Sequence, residues 1–211
     1  MRLILVRHGQ TSSNTGFLLD TGAPGADLND TGREQAQTLV ERLAGEPIDA
    51  IYASTLVRTQ QTAAPLARAR GLEVRVLPDL REISAGHAEM TTDAADYVTT
   101  LLKWDAGDHE ARIPGADNAL EFFARYDRAI AEVASGGHES AVAFSHGAAM
   151  RTWASARVEG FVDVLGKGLL NNTGIIFAEG DPESGWRLVE LEGVIFYEEE
   201  EVAAAGEQGV S

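Results

Sequence analysis

The sequence predicts an α/β protein, a mostly parallel sheet with helices on both faces, and three observations predict it. Short apolar runs alternate with amphipathic helical stretches along most of the chain. Two of these runs, Leu3 to Val6 and Ala141 to Phe144, are continuously apolar, as strands buried on both faces must be. Each gives way to a His-Gly step, Arg7-His8-Gly9 and Ser145-His146-Gly147, so a shared sheet brings both imidazoles to its carboxyl edge.

The elements follow in order. After the first run comes a Gly- and Asp-rich loop, Gly16 to Asn29, and Thr31 with Glu34 has the spacing of a capping box. The helix they open carries Ala36, Leu39, Val40 and Leu43 on its apolar stripe and stops at Gly45 and Pro47. Ile48 to Ala53 reads as a second strand, leading into a helix from about Thr55 to Gly71 that Pro65 kinks. Leu72, Val74 and Val76 alternate with Glu73 and Arg75, as on a half-exposed strand near a sheet edge, and Glu82 lies just beyond.

From about residue 84 to 116 the pattern predicts a small cap segment, one helical stretch over Ala94 to Leu102 and then a polar loop with Gly and Pro. A long helix follows over Asn118 to Ala134, its buried face drawn from Leu120, Phe123, Tyr126, Ile130 and Val133. Ile175 to Ala178 and Leu188 to Leu191, separated by a turn over Glu179 to Gly185, read as the last strands. One domain over residues 1–197 is expected. Residues 198–211, Glu198 to Glu201 and then an Ala- and Gly-rich end, read as an acidic, disordered tail.

Composition excludes several function classes. The 211 residues contain no cysteine, which removes disulfides, thiolate metal sites and a cysteine nucleophile and makes the cytoplasm the expected location. A formal net charge of −16 repels polyanions, so nucleic acid is not an expected partner and any phosphate site must be a local positive pocket. No apolar run approaches bilayer-spanning length and no signal-peptide pattern precedes Leu3, so a membrane partner is not expected either. A homo-oligomer is compatible with the sequence.

The two His-Gly steps carry the chemistry. Neutral histidine accepts a phosphoryl group through a ring nitrogen, and nearby guanidinium groups both depress its pKa and neutralise phosphate charge. Arg7 supplies a planar cationic fork beside His8, and Arg58, early in the helix after the second strand, supplies another if that helix begins at the same sheet edge. Glycine after each histidine, at Gly9 and Gly147, lets backbone approach a bound phosphate closely. A leaving alkoxide needs a proton, for which Glu82 is the candidate and Glu89 its nearest substitute. A metal site built on His8, His146 and a carboxylate is disfavoured by the two arginines, so no metal and no other cofactor is expected.

Leu5-Val6-Arg7-His8-Gly9-Gln10-Thr11, with Asn14 three residues on, resembles the signature of the histidine phosphatase superfamily, the phosphoglycerate-mutase-like family. Leu28 to Gly32, Ala53-Ser54 through Arg58-Thr59 to Thr62-Ala63, Leu80 to Glu82 and Ser145 to Gly147 continue that resemblance in the family's order. It implies a three-layer α/β/α sandwich and a metal-independent phosphatase acting on a small-molecule phosphate ester. It implies His8 as the phosphorylated nucleophile, Glu82 as general acid, and Arg7, Arg58 and His146 as the phosphate pocket, with Asn14 a further contact. Phosphoglycerate mutase-type transfer is the alternative, and a non-catalytic phospholigand-binding protein a third. The chain is more similar to the phosphatase branch, since it lacks the Trp-Asn pair of typical mutases and their longer insert between Glu82 and His146. Gln10 stands where many relatives have Glu, Glu89-Met90 replaces a common Glu-Gly, and the loop Gly16 to Asp27 either shapes the pocket mouth or is a solvated insertion.

Overall fold

The computed structural model describes residues 1–166 and 168–195, so the acidic tail expected over 198–211 lies outside the described residues. Among the described residues seven strands form one sheet: β1 (Arg2–Arg7), β2 (Ala50–Ala53), β3 (Val74–Val76), β4 (Ser140–Ser145), β5 (Val158–Glu159), β6 (Leu169–Asp181) and β7 (Gly185–Ile195). Their order is β3-β2-β4-β1-β6-β7-β5. The half that carries both histidines is parallel, β3 with β2, β2 with β4 and β4 with β1. Beyond β1 the sheet turns antiparallel through β6 and β7, and the two-residue β5 pairs parallel with β7. The sheet is therefore mixed, and its last two strands are longer than the apolar runs suggested.

Successive residues of the central strands point to opposite faces and feed two separate cores. Ile4, Val6, Ile51, Val142 and Phe144 pack with Leu39 and Leu43 of the α2 (Asp30–Arg42) region and with Ala63 and Leu66 of α3 (Val57–Arg70). Leu3, Leu5, Tyr52, Ala141 and Ala143 pack on the other face with α5 (Ala119–Ser135), α6 (Gly147–Arg157) and α4 (Ala95–Asp105). Leu3 to Val6 are completely buried, which is why the run tolerates no alternation. This is the expected three-layer arrangement. Among the described residues no helix is long and apolar enough to cross a membrane.

Two local expectations need correction. Helix α2 is capped by Asn29, whose side chain accepts from the Gly32 N–H at 2.8 Å, so Thr31 lies inside the first turn and the Thr31–Glu34 box does not form. A capping box does form earlier, where Thr11 and Asn14 satisfy each other's backbone at the one-turn helix α1 (Ser12–Thr15). In α5, Leu120 is half exposed while Phe122 is fully buried. The buried set Ala119, Phe122, Phe123, Tyr126, Ile130 and Val133 keeps helical spacing, and Leu120 falls one position off it. The start of α5 is fixed by reciprocal bonds between Asn118 and Glu121.

Candidate active site

The register of the parallel strands assembles the site. Arg7 pairs with Ser145 across β1 and β4, and the His8 N–H donates to the Ser145 carbonyl at 3.1 Å, so the two His-Gly steps leave the sheet side by side. The imidazole centroids are 5.3 Å apart. On the far side of β4, the Ser54 N–H donates to the Phe144 carbonyl, which brings the end of β2 to the same edge. Nearby, Arg7, His8, Asn14, Arg58, Glu82 and Gly147 border one cavity of about 430 Å³, while His146 stands behind its wall, fully buried.

Hydrogen bonds hold both imidazoles and fix the tautomer of His8. His8 Nδ1 lies 2.7 Å from the Gly9 carbonyl oxygen, which can only accept; Nδ1 therefore carries the proton and Nε2 the lone pair. His146 Nε2 lies 2.8 Å from Ser54 Oγ. Ser54 Oγ also accepts from the Leu56 N–H and lies 3.0 Å from the Thr59 hydroxyl, which donates to the Leu56 carbonyl, so His146 is held by a buried hydroxyl pair. His146 Nδ1 is buried without a protein partner. Burial, and after it Arg58, hold the pKa of both histidines well below the ordinary value.

The cations are placed differently from one another. Arg7 reaches across to donate to the Leu170 carbonyl of β6, and a Cβ at Gly147 would lie only 3.0 Å from its Nε. Gly147 is therefore where the guanidinium passes α6. Arg58 is buried, donates to the Asp20 carbonyl at 2.7 Å and lies 3.5 Å from the Asp20 carboxylate. Its Nε and Nη1 have no hydrogen-bond acceptor among the described residues. Gly9 has another use than the one read from sequence: its N–H is taken by Thr62, and a Cβ there would meet the Gly32 carbonyl oxygen at 2.6 Å. It admits the start of α2 against the His8 loop rather than a phosphate.

Glu82 is held by three N–H groups. Ala148 and Ala149, at the N-terminus of α6, donate to its Oε2 and Oε1 at 3.2 and 2.8 Å, and Ile83 donates to Oε1 at 2.8 Å. Behind it Arg125 donates to the carbonyls of Asp79, Arg81 and Glu82, and burial lowers its pKa to about 10. The Tyr97 hydroxyl of α4 adds a bond to the Ile83 carbonyl. Glu89 is committed elsewhere: its carboxylate takes the N–H groups of Thr21 and Gly22 and the Thr21 hydroxyl, and it does not border the cavity. Met90 after it adopts φ 58°, a left-handed conformation that favours glycine. Asn14 borders the cavity, but its Oδ1 is occupied by the Thr11 N–H and the Asn172 amide. Among the described residues no three His, Asp or Glu side chains converge to hold a metal ion.

A model of the histidine phosphatase superfamily (branch 1) matches residues 3–192. The chain belongs to that superfamily. It is 35% identical, over 90% of its length, to the PE-PGRS family protein PE_PGRS11 of Mycobacterium tuberculosis, but spans only 36% of that protein. It is 34% identical to the adenosylcobalamin/alpha-ribazole phosphatase of Escherichia coli, over 65% of this chain and 69% of that enzyme. Among solved structures it is similar to mycobacterial glucosyl-3-phosphoglycerate phosphatase complexed with VO3, at TM-score 0.75 and 26% identity, covering 92% of this chain and 99% of that one.

In this member of the histidine phosphatase superfamily, four positions that shape the site have no role readable from the sequence, Ser54 among them although the motif around it is readable. Asp20 sits in the loop after α1, where Ser13 and the Ala26 N–H fix its carboxylate against Arg58. The loop is thus built into the pocket and is not a solvated insertion. Ser54 holds His146 through its Nε2, and Arg125 braces Glu82 from behind. Asn172 belongs to a break in the β6 pairing between Leu170 and Ile175, where its amide reaches the His8 carbonyl and Asn14. A polar Asn-Asn-Thr run ahead of an apolar strand was the available signal for it.

The two neutral imidazoles make a stability prediction. Their folded pKa values lie below the ordinary 6.5, so below that pH the unfolded chain takes up protons that the folded chain refuses. The stability is complete above pH 6.5 and is lost as pH falls from there toward the folded values, by up to about 1.4 kcal/mol per pH unit for each histidine. Urea unfolding at pH 7.5, 6.5 and 5.5 should show this decline. Equal stability at all three would mean that both rings keep the ordinary histidine pKa in the fold.

Proposed function

We propose that this protein hydrolyses phosphomonoesters of small molecules through a phosphohistidine formed on His8. The observation that carries the reading is the pair of buried Arg58 donors lacking acceptors, Nε and Nη1, bordering the same cavity as a His8 ring whose Nε2 bears a lone pair. Such donors ask for an anion, and the nucleophile stands beside it. In this reading Nε2 attacks phosphorus, the bond from phosphorus to the ester oxygen breaks, and that oxygen takes a proton from Glu82. Oε2 is the better-placed oxygen, since Oε1 already accepts two N–H groups. Water then attacks the phosphohistidine, Glu82 recovers a proton, and the electrons of the N–P bond return to Nε2.

Arg7 and Arg58 meet the charge of the phosphoryl group, so the proposal includes full activity in EDTA. Helix α4 and the loop before it act as the cap over residues 84–116. The relatives that are phosphatases support hydrolysis over transfer between positions of one substrate. The test is to quench turnover of a labelled ester. Label should appear on the protein in a form that survives base and is lost in acid, with free alcohol and inorganic phosphate as products. An isomerised ester without inorganic phosphate, or protein-bound label that survives acid, would overturn it.

A further inference from the structure

Above its charged base the cavity is lined with hydrocarbon from three separate parts of the chain. Leu18 comes from the loop after α1, Val98, Leu101 and Leu102 from α4, and Leu169 and Leu170 from the start of β6. Val98, Leu102 and Leu169 are 49%, 58% and 46% exposed, although each is a large apolar side chain. Single exposed apolar side chains are ordinary, but three from two elements, α4 and β6, that border one cavity together form an apolar wall.

The charged groups are distributed in the opposite way. Among the described residues bordering the cavity, Arg7, Asp20, Arg58 and Glu82 are engaged around His8. Arg151, one turn further along α6, is the remaining charge, and its guanidinium already pairs with Asp105 at 2.8 Å. A second anionic group on a substrate, such as the carboxylate of a phosphoglycerate, would meet a neutralised cation and a hydrocarbon wall. A polyhydroxylated alcohol would leave hydroxyl groups there without partners.

The geometry points to a phosphomonoester of an apolar alcohol as the substrate class, with the phosphoryl group at His8 and the hydrocarbon against Val98, Leu102 and Leu169. This rests on the phosphatase reading above and adds to it what the leaving group is. The occupant follows from continuity: the ester oxygen must lie between His8 and Glu82, and what it carries extends along the apolar wall. The cavity's size is in the range of small-molecule sites, which suits a compact hydrocarbon.

The experiment measures kcat/KM for ethyl, butyl and hexyl phosphate, whose leaving alcohols differ little in acidity, beside 3-phosphoglycerate and glycerol phosphate. Each buried methylene should raise kcat/KM about three- to fourfold, so hexyl phosphate should exceed ethyl phosphate on the order of a hundredfold and exceed both polar esters. Leu102→Gln, a change at an exposed position, should lower the hexyl-to-ethyl ratio severalfold, as should Leu169→Ser. A ratio near one in the wild type, a ratio that neither variant moves, or a preference for 3-phosphoglycerate overturns the inference while leaving hydrolysis intact. Release of phosphate from none of the five esters overturns the phosphatase reading, and this inference falls with it.

Discussion

Replacing His8 by Asn should lower kcat for any phosphomonoester by at least about a thousandfold while leaving a folded protein. The expectation of such a large loss comes from the number of features that serve one nitrogen. The Gly9 carbonyl holds the proton on Nδ1, burial and two guanidiniums keep the ring neutral, and the Thr173 N–H and Asn172 amide fix the His8 carbonyl beneath it. Asn offers no equivalent lone pair. Because the pKa of His8 is held below 6.5, the acid limb of kcat/KM in the wild type should also lie below pH 6.5. The variant should lose part of the pH-dependent stability, since one of the two proton-refusing rings is gone. Residual activity within tenfold of the wild type would remove His8 from the covalent step. Activity lost together with cooperative unfolding would instead point to a packing role.

The fold and the sheet edge were legible for reasons that the structure makes concrete. Continuous apolar runs at Leu3 to Val6 and Ala141 to Phe144 are satisfied in the sheet interior, and their pairing in parallel register sets the two His-Gly steps side by side. What was not legible depends on contacts between residues distant in sequence. Asp20 faces Arg58 from 38 positions away, Arg125 grips carbonyls 43 to 46 positions earlier, and Asn172 meets His8 from 164 positions away. No local period records such a pairing. The capping error at Thr31 has a different origin: Asn29 and Thr31 both offer a cap, and the choice falls to Asn29 because its N–H and amide also bond Gln10. Gly9 shows the same limit, since its small size serves α2 and its meaning changes once Gly32 is seen beside it.

Glu82→Gln should lower kcat for alkyl phosphates by about 10² to 10⁴, the range a positioned proton donor supplies. The substitution is nearly isosteric, yet its local cost is readable. Oε1 of Gln can still accept from Ile83 and Ala149, but its amide nitrogen would face the Ala148 N–H, donor against donor. A loss of about 1 to 2 kcal/mol in stability is expected from that contact, small beside the effect on rate. The rate effect should depend on the leaving group. 4-Nitrophenolate departs without a proton, so 4-nitrophenyl phosphate should phosphorylate His8 in the variant almost as fast as in the wild type. The second half-reaction still needs a base for water, so the phosphoenzyme should accumulate. Stopped-flow traces of the variant should then show a burst of about one equivalent of 4-nitrophenol per site followed by slow turnover, while alkyl esters give slow turnover without a burst. Equal losses for both ester classes with no burst would mean that the proton comes from elsewhere, and that the three N–H groups around Glu82 hold it as a cap for α6 and nothing more.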